Sequence, residues 1–115
     1  DEPETIAVRT REEVDAAYDA LLRTLMPAAS VKPAVATHDE KRIVVAEELA
    51  LTRTAPWEFQ MLYGIRTRLQ EDLVADGYAM RVYVPYGDSW YPYLTRRIAE
   101  RPANVWFFFR ALIGR

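Results

Sequence analysis

Four side chains in the last quarter of the sequence, Tyr93, Arg96, Arg97 and Glu100, recur at i, i+3, i+4 and i+7, the spacing of one helix face. That spacing ordinarily carries an apolar stripe. Here it carries a phenol, two guanidinium groups and a carboxylate, while Trp90, Leu94 and Ile98 supply a separate stripe for packing. Two neighbouring guanidinium groups can grip one carboxylate or phosphate through paired, charge-assisted hydrogen bonds. Glu100, four residues beyond Arg96, can orient that arginine. A solvated face laced with surface ion pairs would show the same pattern. The aromatic neighbourhood argues for a pocket instead: Tyr83, Tyr86, Tyr91 and Tyr93 crowd one strand end and the helix that follows.

Other chemistry is sparse. The chain has no cysteine, which removes disulfides, thiolate catalysis and thiolate-held metals together. One histidine, His38, does not make an imidazole metal site. A lone histidine is an ordinary structural residue, but His38 stands between Thr37 and Asp39 straight after an apolar run, where functional side chains gather. Glu58 and Gln60 alternate with Trp57, Phe59 and Met61, so they share one strand face as polar groups that would point into a barrel or a hydrated interior. Trp106 to Phe109, with Leu112 and Ile113, reads as a packing tail; a subunit or membrane contact is the alternative.

These residues need a frame to position them. The chain has 115 residues, half of them apolar, and a formal charge of −2, which suits one packed domain and gives nucleic acid no basic surface. No apolar run approaches the roughly 20 residues that cross a bilayer, and the polar opening has no signal-peptide pattern. Thr10 and Glu13 have the form of a capping box, followed by Val14, Tyr18, Leu21 and Leu25 at helical spacing and a stop at Pro27. Lys32 to Thr37 reads as a strand buried on both faces. Asp39 can cap a second helix carrying Ile43, Val44, Ala46 and Leu49. Trp57 to Tyr63 is a second strand, and Ile65, Leu69, Leu73 and Val74 mark a third helix that Gly77 can end. Met80 to Val84 is a third strand. Asp88 or Ser89 can cap a fourth helix running to about Arg101, and Asn104 to Ile113 reads as a short terminal helix.

Strands alternating with helices predict a parallel α/β architecture. The strand ends Thr37, Leu62 and Tyr83 fall 25 and 21 residues apart, the tight spacing of barrels. Three such units leave two strand edges unpaired, whereas a full (β/α)8 barrel takes about 250 residues. The chain is therefore expected to be a small open α/β domain or part of a larger barrel. In either case chemistry belongs at the carboxyl ends of the strands.

The segments KPAVATHDEKRI, WEFQMLYGIR, MRVYVPYG and YLTRRIAERPAN resemble consecutive signature segments of the flavin-dependent proline dehydrogenases, and EPETIAVRTREEVDAAYDALL resembles the stretch before them. The resemblance covers nearly the whole chain in the family's order. It implies that residues 1–115 are the C-terminal part of a (β/α)8 TIM-like barrel: about three βα units plus the final helix. It implies FAD-dependent oxidation of L-proline to 1-pyrroline-5-carboxylate, with electrons passed to a quinone. Arg96 and Arg97 match the pair that binds the proline carboxylate. Tyr83 and Tyr93 match the aromatic wall of the ring, Tyr83 also disfavouring hydroxylated proline, and Leu62 matches an apolar contact. Thr37 and His38 match the flavin-contacting segment, and Glu100 a carboxylate near the cofactor's ribose.

The resemblance further implies a cytoplasmic enzyme with peripheral contact on the inner membrane, through its quinone. The family's earlier strands carry a lysine and an aspartate near the substrate and a basic cluster on the flavin phosphates. The chain opens where the fifth strand would just have ended, so these 115 residues are expected to need the N-terminal part of the barrel for activity. Without the resemblance, two other classes stay open: a non-catalytic α/β module binding a small anion through Arg96 and Arg97, or a docking domain using its sheet edges and aromatic tail.

Overall fold

The computed structural model describes residues 10–88 together with Pro92. Within them the elements run α1 (Arg11–Leu25), β1 (Ala34–Ala36), α2 (Glu40–Ala50), β2 (Glu58–Leu62), α3 (Thr67–Ala75) and β3 (Met80–Tyr83). The strands form one parallel sheet in the order β1-β2-β3, so α2 and α3 are crossovers between neighbouring strands, and α1 precedes the first strand. The parallel α/β expectation holds to this extent. The expected fourth and terminal helices lie outside the described residues. Contacts divide the chain into two units, the division falling within β2 between Phe59 and Gln60.

In the first unit, local chemistry starts both helices. The Thr10 hydroxyl accepts from the Glu13 N–H at 3.2 Å, and the Glu13 carboxylate accepts from the Thr10 N–H at 3.0 Å, which completes the capping box. Asp39 Oδ1 accepts from the Lys41 N–H at 2.9 Å and caps α2. The buried face of α1 differs from the expected stripe. Leu22 and Met26 are buried and Tyr18 is half-buried, whereas Val14, Leu21 and Leu25 are exposed. The reason is ionic. α1 packs against α2, and Arg42 of α2 reaches Asp15 at 3.0 Å and Asp19 at 2.6 Å. Asp15, Asp19, Leu22 and Met26 share one face at helical spacing, so charged groups occupy an interface that an apolar pattern would not mark.

β1 is shorter than the run Lys32 to Thr37. Pro33 has no N–H to give a ladder, although its carbonyl accepts from the Glu58 N–H at 3.1 Å. Burial on both faces does not hold either: Val35 is 1% exposed, but Ala34 and Ala36 are exposed, so the described elements cover one side only. Phe59 is fully buried with Trp57 edge-on, ring centroids 4.7 Å apart.

Among the described residues of the second unit, Met61 and Leu73 are the buried apolar side chains. The end of α3 is a Schellman motif. Gly77, at φ 92°, donates to the Val74 carbonyl at 3.0 Å, and Tyr78 donates to the Leu73 carbonyl at 3.1 Å. Val74, expected on the packed stripe, is half exposed.

Candidate functional site

Every described residue of the expected site stands at or directly after the carboxyl end of a strand. In the first unit, β1 ends at Ala36 and the chain turns into α2 through Thr37, His38 and Asp39. Consecutive side-chain bonds set this turn: the Thr37 hydroxyl accepts from the Asp39 N–H at 3.1 Å, and Asp39 then caps α2. Asp39 Oδ2 also lies 3.6 Å from an Arg11 guanidinium nitrogen. Thr37 and His38 are both half-buried. A hydroxyl that accepts one bond still carries a proton to donate, and an imidazole adds a second donor or acceptor.

Glu58, one of the two expected inward-facing polar groups, is buried beside Lys32, whose ammonium lies 3.2 Å from Glu58 Oε2. Gln60 is half-buried. Ion pairing with Lys32 balances much of the cost of burying the Glu58 carboxylate.

In the second unit, β2 ends at Leu62 and β3 at Tyr83. The Tyr63 N–H donates to the Tyr83 carbonyl at 2.9 Å. In a parallel ladder that bond sets Leu62 level with Tyr83, so both project from the same face on strands about 4.8 Å apart. Leu62 is half-buried, and Tyr83 keeps 54% of its surface exposed. The pair sets an apolar side chain beside a phenol at the strand ends.

The turn beyond Leu62 is built from left-handed backbone. Gly64 has φ 75°, which a residue without Cβ adopts at no steric cost, and Arg66 has φ 54°, a strained value for a side-chain-bearing residue. The Ile65 N–H donates to the Leu62 carbonyl at 3.3 Å and closes the turn.

Arg96, Arg97, Tyr93 and Glu100 lie outside the described residues, as do Trp90, Tyr91 and the aromatic tail from Trp106. Among the described residues, no group of histidine or carboxylate side chains could hold a metal ion, and no helix is long and apolar enough to cross a membrane. Two structural side chains were not visible in the sequence. Arg53 donates to the backbone carbonyls of Met26, Ala28, Val31 and Pro56. Gln70, 7% exposed, donates to the carbonyls of Leu62 and Ile65. The only trace of Gln70's role is its position three residues before Leu73, on the packed side of α3.

The proline dehydrogenase family model matches residues 3–110. The chain belongs to the proline dehydrogenase family. Proline dehydrogenase 2 of Bacillus subtilis (strain 168) is 42% identical over 114 residues, covering 96% of this chain and 37% of that protein. Proline dehydrogenase 1 of the same strain is 51% identical over 83 residues, covering 70% of this chain and 28% of that protein. Proline dehydrogenase of Deinococcus radiodurans is 43% identical over 118 residues, covering 97% of this chain and 37% of that protein. The chain thus spans about a third of the length of the proline dehydrogenases it matches. The family resemblance read from its strand-end segments is borne out.

Proposed function

We propose that this chain supplies the proline-binding part of a flavin-dependent proline dehydrogenase, as the C-terminal portion of a (β/α)8 barrel whose N-terminal part completes it. The observation that carries this reading is the family match over residues 3–110. The lie of Thr37, His38, Leu62 and Tyr83 at strand carboxyl ends supports it, since that is the working end of a parallel barrel.

The chemistry of the residues follows from the substrate. Proline is a zwitterion, and Arg96 and Arg97 together hold its carboxylate through charge-assisted bonds. Leu62, Tyr83 and Tyr93 enclose the five-membered ring, exclude water from it and would press it against the face of a bound flavin. Tyr83 also crowds the place a hydroxylated ring would need. Thr37 and His38 hold the cofactor through polar contacts, and Glu100 sits near the cofactor's ribose and steadies the arginine pair. When bound, FAD supplies the two-electron acceptor that turns L-proline into 1-pyrroline-5-carboxylate, with a quinone as final acceptor at the inner membrane. The contribution of this chain is orientation and charge complementarity rather than covalent catalysis.

The test is optical. The protein carrying this chain, joined to its N-terminal barrel part, is expected to bind FAD and to lose the flavin's visible absorption under anaerobic L-proline. Pyrrolidine, which has the ring without the carboxylate, is expected to bleach it far less. A preparation that holds flavin but bleaches equally with both, or with neither, would overturn the reading.

A further inference from the structure

We infer that Gln70 is a positioning residue for proline binding, acting through the turn that carries Leu62. The inference rests on the reading above, in which Leu62 walls the substrate ring. Gln70 is nearly buried on α3, and its amide nitrogen has two protons to give. Both go to backbone carbonyls of one turn: Leu62 at 3.0 Å and Ile65 at 2.7 Å. These two carbonyls bracket the Leu62–Ile65 turn, so a single side chain holds both of its ends.

The turn needs such a hold. It leaves the strand through Gly64 at φ 75° and enters α3 through Arg66 at φ 54°, where no side chain caps the helix. Left-handed backbone at a non-glycine residue persists only when its surroundings over-determine it. The Leu62 carbonyl takes two donors, Gln70 Nε2 and the Ile65 N–H, while the next residue's N–H is committed to Tyr83. Leu62 and Tyr83 are therefore held in register by the ladder on one side and by Gln70 on the other. Loss of the amide frees the turn and lets Leu62 drift from the ring it contacts.

The experiment compares wild type with Gln70→Met, which keeps length and volume but donates nothing, and with Gln70→Asn, which cannot reach both carbonyls. Steady-state kinetics with L-proline and trypsin cleavage after Arg66 are measured on the flavin-loaded protein. An apolar wall binds the ring alike in ground and transition states, so KM is expected to rise with kcat little changed. For Gln70→Met, which loses both bonds while the Leu62 carbonyl keeps the Ile65 N–H, we expect KM to rise about tenfold and cleavage after Arg66 to quicken about tenfold, the factor for a net loss of about one neutral hydrogen bond. Cleavage after Arg23, on the exposed side of α1, is expected to stay constant. Unchanged KM with unchanged cleavage overturns the inference, and so does a fall in kcat at constant KM. If wild type itself fails to oxidise proline, the substrate reading falls, and cleavage after Arg66 still decides whether Gln70 holds the turn. If neither variant folds, Gly64→Ala strains the same turn from its backbone, and an unchanged KM there overturns the inference.

Discussion

Replacing Arg53 by methionine is expected to destabilise the protein by about 3 kcal/mol while leaving proline kinetics intact. Arg53 Nη1 donates to the carbonyls of Met26 and Ala28, the latter at 3.1 Å; Nη2 donates to Val31 at 2.6 Å and Pro56 at 3.1 Å. Hydrogen bonds from a charged donor are worth about 1.5–3 kcal/mol each, so a plain sum of four would reach roughly 6–12 kcal/mol. That sum is too large. The two Nη2 bonds are exposed, and water replaces them readily. Arg53 Nε is buried with no acceptor among the described residues, which offsets part of the gain. The two partly buried Nη1 bonds remain, and methionine keeps the packing of the aliphatic stem, which leaves about 3 kcal/mol. Lysine offers one ammonium in place of a planar fork and is expected to recover less than half of the loss. Urea unfolding read by circular dichroism measures this as a lower midpoint at constant slope. The four carbonyls lie in the segments leading into β1 and β2, at the amino ends of the strands, so KM and kcat are expected to stay as in wild type. A loss below about 1 kcal/mol would refute the reasoning, because water would then serve those carbonyls as well as the guanidinium does.

Further outcomes follow from single residues. Thr10→Ala and Asp39→Ala each remove a helix cap and are expected to cost about 1 kcal/mol in urea unfolding, while Asp39→Asn keeps the acceptor and most of the stability. Gly77→Ala forces a side chain into backbone at φ 92° and is expected to cost about 1–2 kcal/mol by the same measurement. Burial, and secondarily the Asp19 carboxylate, push the Tyr18 phenol above its usual value near 10. Below that value Tyr18 is neutral in both the folded and the unfolded chain, and its contribution is fully present. As pH rises toward the higher folded value, the unfolded chain ionises first and stability falls. Tyr18→Phe is expected to flatten this alkaline limb in urea midpoints taken from neutral pH upward; an equally steep fall in the variant would refute the assignment.

What the sequence made legible was short-range chemistry. Thr10 with Glu13, Asp39 before α2 and Gly77 after α3 act on backbone a few residues away, so their meaning is local and survived into the structure. The strand positions were legible for the same reason, although each strand is shorter than its expected run, β1 at its start because Pro33 cannot donate. The packed face of α1 was not. Asp15 and Asp19 face Arg42 across an interface, and this pairing turns an exposed-looking pattern into a packed one. Arg53 and Gln70 were hidden because their partners are main-chain carbonyls, which every residue has. Folding alone brings Met26, 27 residues away in sequence, to Arg53. Of the site, Thr37 and His38 could be assigned to a strand end from the compact apolar run before them, and Leu62 and Tyr83 from their strand patterns and the glycines that follow. Their roles came from the family's segments, not from periodicity.

The proposed function rests most heavily on the proposal that Arg96 and Arg97 grip the carboxylate of proline. The direct measurement is proline affinity for Arg96→Ala and Arg97→Ala in the flavin-loaded protein, with circular dichroism showing the fold retained. Each lost charge-assisted contact is expected to weaken binding by roughly ten- to a hundredfold, with affinity for pyrrolidine almost unmoved. Proline affinity equal to wild type in both folded variants would contradict the account.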